Sequence, residues 1–252
     1  MKVLSNPDAL GRPCGECRTP LGFEISMALQ PIVNTTTRQV FAQEALVRGP
    51  EGQGAAEVLA KVTDENRYQF DQTCRVAAVS LAARLGVQSL LSINFLPNAV
   101  YQPERCLRTT LDAAIQFGFP VERIVFEITE SEQVADSAHL RSIVAHYRAR
   151  GFRTAIDDFG AGYSGLNLLA ELQTDFLKLD MALVRNIDRD RARRAIVNGV
   201  LHVCRDLGIA PIAEGVETRA ELDTLQGLGI ELFQGYLFAR PAFEAQATVT
   251  FP

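Results

Sequence analysis

Eight short apolar or β-branched runs, all but the first pair separated by stretches of helical composition, constrain this chain more than any other feature. The runs begin near Ser26, Gln39, Ser89, Arg123, Phe152, Asp175, Ala210 and Leu232. Helical stretches are expected over 55–62, 71–85, 103–117, 137–150, 166–171, 190–207 and 219–228, four of them closed by Gly118, Gly151, Gly208 and Gly229. Strands alternating with helices are the pattern of an α/β fold. The first connection, Asn34-Thr35-Thr36-Thr37-Arg38, is too short for a crossover, so the first two strands are expected to form an antiparallel hairpin. Eight strands in one unit of this length predict a TIM-type barrel, in which functional side chains gather at the C-terminal rim of the strands.

With 252 residues, 47% of them hydrophobic, the chain can bury one sizeable core, and we expect an N-terminal arm over 1–20 and a barrel domain over 21–252. A formal charge of -5 argues against binding a nucleic acid polymer, which needs a basic face. The absence of an 18-residue apolar run or a signal-peptide core predicts no membrane insertion and a cytoplasmic location. Five cysteines are an odd number for a disulfide framework, so reduced thiols are expected. Cys14 and Cys17 form a single pair without a second pair or a nearby histidine, which favours incidental thiols over a closed zinc site.

Polar residues fall at or near the strand ends, at Glu44, Asn94, Glu127, Asp157, Asp158, Lys178, Glu214 and Gln234. Singly, Glu127 reads as an exposed acid at a strand end, Asp157 and Asp158 as turn aspartates capping a following helix, and Asn94 as a turn former. Lys178 is different, because a lysine inside Phe176-Leu177-Lys178-Leu179 needs a buried partner. Together on one rim they form a site. An antiparallel first strand brings Gln30 to the same mouth. Asp157 and Asp158 are adjacent, and neighbours in a strand point to opposite faces, so both serve one site only where the backbone turns. Gly160 and Gly162 are expected to supply that turn.

Oxygen donors without clustered histidine or cysteine select magnesium or manganese over zinc or copper. Crowded carboxylates raise one another's pKa unless cations are present. Two ions need a shared ligand, which one of two adjacent aspartates provides, and such a pair activates water against a phosphoryl group. His139, His146 and His202 lie on expected helices away from the rim, which weakens any histidine-metal hydrolase.

Glu44-Ala45-Leu46, with Val47-Arg48 after it, resembles the signature of the EAL-domain family of cyclic di-GMP phosphodiesterases. The resemblance runs from about Phe23 to Pro241 through Leu29-Gln30-Pro31-Ile32, Asn94, Phe126-Glu127-Ile128-Thr129-Glu130, Asp157-Asp158-Phe159-Gly160, Lys178-Leu179-Asp180, Ala213-Glu214-Gly215-Val216-Glu217 and Gln234-Gly235-Tyr236. It implies a modified TIM (β/α)8 barrel whose first strand is antiparallel to the rest, hydrolysing one phosphodiester bond of cyclic di-GMP to give pGpG. It also implies two Mg2+ or Mn2+ ions per site and a homodimer. By the same resemblance Glu44, Asn94, Glu127 and Asp157 are ligands of one ion. Asp157 bridges to a second held by Asp158 and approached by Glu214. Lys178 orients the attacking water, Glu217 is an accessory acid, Gln30, Leu46, Arg48 and Gln234 meet the substrate, and Glu130 anchors the loop over 159–165. Two positions depart from the family pattern: Leu96 and Gly165 stand where serines are common. The competing readings are a non-catalytic cyclic di-GMP receptor signalling through a protein partner, and a magnesium barrel enzyme with a lysine base.

Overall fold

A computed structural model of the chain describes residues 21–100, 103–129, 137–162 and 165–252. The N-terminal arm with Cys14 and Cys17, and Glu130, lie outside the described residues. Strands β1 (Ser26–Asn34) and β2 (Gln39–Arg48) form the expected antiparallel hairpin, with Gln30 opposite Glu44. Asn34 closes its turn, Oδ1 accepting the Thr37 N–H at 2.8 Å, while Arg38 takes a positive φ of 54°. From β2 the sheet continues in parallel through β3 (Leu90–Asn94), β4 (Ile124–Thr129), β5 (Arg153–Phe159), β6 (Phe176–Leu179), β7 (Ala210–Ala213) and β8 (Leu232–Phe233). Antiparallel pairing of β1 with β8 at Val33–Phe233 and Asn34–Leu232 closes the ring. The fold is therefore an eight-stranded closed barrel of the modified TIM type, its first strand antiparallel to its neighbours. A two-residue strand, β9 (Ala242–Phe243), adds to β1 at Leu29 and Ala28.

The helices are α1 (Ala55–Leu59), α2 (Arg67–Arg84), α3 (Pro103–Phe117), α4 (Ser137–Ala149), α5 (Gly165–Glu171), α6 (Met181–Val184), α7 (Arg191–Leu207) and α8 (Arg219–Gly227). Their ends follow local chemistry. The Asp190 carboxylate accepts the N–H groups of Ala192 and Arg193 at the start of α7, and Gly208 ends it in the left-handed conformation. Thr218 and Glu221 form a capping box on α8. The sequence pattern misses α6, whose four residues are too few for a helical period, and β9. It also starts α2 at Asp71, one turn late, and carries the last two strands beyond Ala213 and Phe233.

Period-two alternation inside the barrel sets up everything above it. Ala42, Val125, Ala155, Phe176, Ile212 and Leu232 form a small apolar cluster. Two residues further on stand Glu44, Glu127, Asp157 and Lys178 within their strands, and Glu214 and Gln234 one residue past the ends of β7 and β8. Side chains two apart share a face of a strand, so a charged layer rests directly on an apolar floor. Larger clusters fill the space between strands and helices on either side, one containing Phe95, Phe126, Tyr147 and Phe152, the other Val197, Leu201, Leu225 and Phe233.

Candidate active site

The charged layer is organised on Lys178, which is 1% exposed. Its Nζ lies 2.7 Å from Glu214 Oε1, 2.8 Å from Glu127 Oε2, 2.9 Å from Asp157 Oδ1 and 3.6 Å from Glu44 Oε1. A buried ammonium is tolerated only with such partners. Asn94 Nδ2 donates to Glu44 Oε1 at 3.0 Å, and Gln234 Nε2 donates to Glu44 Oε2 at 2.6 Å and to Gln30 Oε1 at 3.2 Å. Gln30 Nε2 in turn reaches the Ala239 carbonyl at 3.3 Å. The Ser92 hydroxyl donates to Glu127 Oε1. Each side chain of this layer is thus tied to a neighbouring element, although the Gln234 Oε1 atom has no hydrogen-bond partner.

Two irregular stretches of backbone bring in the remaining residues. Between the pairs Ile156–Leu177 and Phe159–Leu179, β5 spends one residue more than β6, a bulge that leaves Asp158 with φ 54°. The turn that lets both aspartates line one cleft is therefore made at Asp158 itself, ahead of the glycines expected to make it; Gly160 follows with φ 98°. The second stretch joins the loops after β7 and β8. The Gln234 carbonyl accepts the Val216 N–H at 3.1 Å, and the Val216 carbonyl accepts the Leu237 N–H at 3.1 Å. A Cβ on Gly235 would stand 2.0 Å from the Val216 oxygen, so only glycine permits this approach. It fixes the segment from Glu214 to Glu217.

One ammonium faces five carboxylates, and their protonation reflects the imbalance. Burial pushes Glu127 and Glu214 well above the ordinary carboxylate range, with Lys178 opposing and neighbouring acids adding to the rise. Asp157 rises for the same reasons. Asp158 is pushed up to about 6 by burial and then by Asp157. Glu44 alone is lowered: burial works to raise it, but Lys178 and the hydrogen bonds from Gln234 and Asn94 outweigh it. Burial works against the Lys178 cation, yet Asp157, Glu127, Glu214 and Glu44 hold its pKa well above the lysine range. Such an excess of buried negative charge is relieved by cations.

The geometry offers two places for them. Carboxylate oxygens of Glu44, Glu127 and Asp157 lie within 4.8 Å of one another, as do those of Asp157, Asp158 and Glu214. Asp157 belongs to both groups. An all-carboxylate donor set, with the Asn94 amide beside Glu44, suits hard divalent cations, so these residues fit magnesium or manganese. Above the groups opens a cleft of about 370 Å3, to which Gln30, Asp158, Asp180, Met181, Glu217 and Tyr236 also contribute.

The structure brings together Glu44, Glu127, Asp157, Lys178 and Glu214, with Asn94, Gln30 and Gln234 attached through hydrogen bonds and Asp158 on the adjoining bulge. Glu217 stands higher on the rim, its Oε1 paired with Arg185 Nη2 at 2.8 Å. Leu46 and Arg48 lie beyond Glu44 on β2, half-buried and outside the cleft wall; Arg48 Nη1 donates to the Val47 carbonyl at 2.7 Å. Sequence reasoning missed Ser92, although it precedes Asn94 by two residues and so shares its inward face. Asp180 stands in the same relation to Lys178, and it also caps α6, accepting the Ala182 N–H at 2.8 Å. Met181 begins α6, whose shortness hid it.

The sequence profile described as EAL domain matches residues 21–241. The chain belongs to the EAL domain family. Its barrel superposes on a standalone versatile EAL protein from Vibrio cholerae O395, solved in a c-di-GMP bound form. The TM-score is 0.89 at 55% identity, over 91% of this chain and 97% of the other. A manganese/cy-diGMP complex of Klebsiella pneumoniae BlrP1 at pH 9.0 superposes with a TM-score of 0.84 at 40% identity, over 88% of this chain and 57% of the other. The cyclic di-GMP phosphodiesterase RocR of Pseudomonas aeruginosa is 34% identical over 160 residues, 63% of this chain and 40% of RocR. The chain spans between 28% and 56% of the length of the first curated relatives it matches. Among the described residues, no helix of this EAL domain is long and apolar enough to cross a membrane.

Proposed function

We propose that this EAL domain is a cyclic di-GMP phosphodiesterase that hydrolyses one phosphodiester bond to give linear pGpG with two divalent cations. The observation that carries the reading is the pair of carboxylate triads sharing Asp157 at the base of an open cleft. Glu44, Glu127 and Asp157, with Asn94, would hold one ion, and Asp157, Asp158 and Glu214 the second. Bound magnesium or manganese would lower the pKa of water and offset charge on the phosphoryl oxygens.

The chain's own residues supply the rest. Lys178, kept protonated by the acids around it, orients the attacking water by giving up one of its three carboxylate contacts, and does not take its proton. That proton passes to a carboxylate; Glu214 is our assignment, because its side chain reaches the cleft. Gln30 and Gln234 present amides to the substrate, while Leu46 and Arg48 meet it from the end of β2, the guanidinium fork suited to phosphate. Glu217 acts from the rim. Two such domains associate as a homodimer, whose existence sedimentation at several concentrations would test.

The deciding experiment is chromatographic detection of pGpG from cyclic di-GMP with magnesium or manganese, beside Asp157→Asn. Product from the native protein alone is expected. Tight binding of cyclic di-GMP without product would replace the enzyme by a receptor, and absence of both would reopen the substrate class.

A further inference from the structure

Behind the β3–β4 side of the barrel lies a buried ion pair that the chemistry above does not use. Arg75 on α2 is fully buried, its Nε 2.8 Å from Oδ2 of Asp71 one turn earlier. Its Nη1 donates to the Tyr147 hydroxyl on α4 at 2.9 Å. The buried Nη2 has no hydrogen-bond acceptor. Instead the guanidinium carbon lies 5.4, 4.9 and 5.7 Å from the ring centres of Phe95, Phe126 and Tyr147, within cation–π range. Phe126 packs against Tyr147 at 4.7 Å and Phe95 at 5.7 Å. The second oxygen of Asp71 accepts the Leu96 N–H at 3.0 Å, and the Phe95 N–H reaches the Glu127 carbonyl at 3.2 Å.

The sequence positions of the two rings matter. Phe95 follows Asn94, and Phe126 precedes Glu127. Side chains alternate across a strand, so each ring points outward to α2 and α4 while its neighbour points inward to the charged layer. Fixing the ring fixes the inward residue. A buried ion pair adds little stability over apolar packing of the same shape, so stability alone does not account for charge at this place.

We propose that Asp71, Arg75 and Tyr147 are positioning residues that set Asn94 and Glu127 for the first carboxylate triad, by clamping Phe95, Phe126 and the Leu96 amide from outside the barrel. The cation-affinity readout rests on the function proposed above; the clamp itself is readable without metal.

The test compares Asp71→Ala, Asp71→Asn and Tyr147→Phe with Val197→Ala, which removes a fully buried side chain from the other core cluster. Manganese binding is measured by calorimetry. The Leu96 amide exchange and the Asn94 side-chain amide resonances are followed in the metal-free protein by NMR. Asp71→Ala is expected to weaken manganese at the first triad about tenfold, the scale for outer partners of metal ligands. It should also speed Leu96 exchange and shift the Asn94 resonances. Asp71→Asn and Tyr147→Phe should show smaller changes in the same direction, and Val197→Ala should lower Tm with manganese affinity and Asn94 unchanged. If Asp71→Ala does not fold, Asp71→Asn, which keeps volume and an acceptor, carries the comparison. The proposal is overturned if the Asp71 variants lower Tm yet leave the Asn94 resonances and manganese affinity as in the native protein. Native protein that binds no manganese would sink the two-cation reading, while unmoved Asn94 resonances would still sink the clamp separately.

Discussion

The two carboxylate triads share Asp157 but are built differently. Glu44 and Glu127 stand on regular stretches of the β2–β3 and β3–β4 ladders, at 5% and 0% exposure, where strand register sets their depth and Lys178 sets their charge. Asp158 and Glu214 are half-buried, one on a bulge with positive φ and the other just past the end of β7. The inner triad is a consequence of the barrel; the outer is a consequence of two departures from it, each held by a specific contact. Regular backbone places residues rigidly but only on alternate positions, and adjacent acids require the irregular kind. All three members of the outer triad line the cleft, whereas Glu127 of the inner one does not.

Removing the shared residue should erase the distinction. Asp157→Asn is expected to lower the rate of cyclic di-GMP hydrolysis by roughly 10^3-fold and to reduce manganese binding at both places. A variant that kept one site at native affinity would show that the triads do not share a ligand. Lys178→Met comes next, because it leaves five carboxylates without their cation. Removing one partner of a buried pair costs about 3–5 kcal/mol, read by urea denaturation without metal. Saturating manganese should recover much of that loss, and failure to recover any would mean that cations do not enter this layer.

How much of this was legible in the sequence follows the same division. Glu44, Glu127, Asp157 and Lys178 could be placed because alternation along an apolar strand decides which residues face inward. Ser92 obeys the same rule and was readable by it. The positive φ at Asp158 was not, since nothing in Asp157-Asp158-Phe159-Gly160 says whether an aspartate or a glycine takes the turn. Nor was the nearness of Gly235 to Val216, a contact between two loops. Local sequence also does not encode that Arg48, expected at the substrate, is half-buried at the end of β2 with its Nη1 donating to the Val47 carbonyl. The Asp71–Arg75 pair stayed hidden because, at i and i+4 of a helix, it reads as a surface pair.

The contrast between triads sharpens when one is removed alone. Asp158→Ala should lower turnover by about 10^2-fold while sparing the inner site, so that manganese stoichiometry falls from about two to about one. Loss of both ions would show that the outer triad is needed to form the inner one. Acid titration of the metal-free protein gives a gentler test. Asp158, Glu127 and Glu214 have pKa values raised above their unfolded ones, so the folded state favours their protonated forms. Their contribution is present at low pH and is lost as pH rises through the folded values, about 6 for Asp158. The Tm of the metal-free protein should therefore rise as pH falls from about 7.5 toward about 5. Bound manganese should reverse the slope, because it favours the ionised acids. A metal-free Tm that falls steadily over this range would contradict the charge imbalance described here.

The smallest effect is expected at the rim, where Glu217 is held at its backbone by Glu221 and at its carboxylate by Arg185, which also lies 3.8 Å from Glu221 Oε1. Its backbone N–H donates to Glu221 Oε2 at 3.0 Å, part of the cap of α8, while its carboxylate meets Arg185, which ends α6, at 2.8 Å. Arg185→Ala frees the carboxylate and leaves the backbone where it is. Exposed pairs of this kind contribute about 0–1 kcal/mol, so Tm should scarcely change. Turnover should nevertheless fall a few-fold, by roughly three- to tenfold if Glu217 must be aimed at the cleft, and Arg185→Lys should restore part of it. Unchanged turnover would show that Glu217 acts without its partner, and that the rim, unlike the two triads beneath it, needs no fixed geometry.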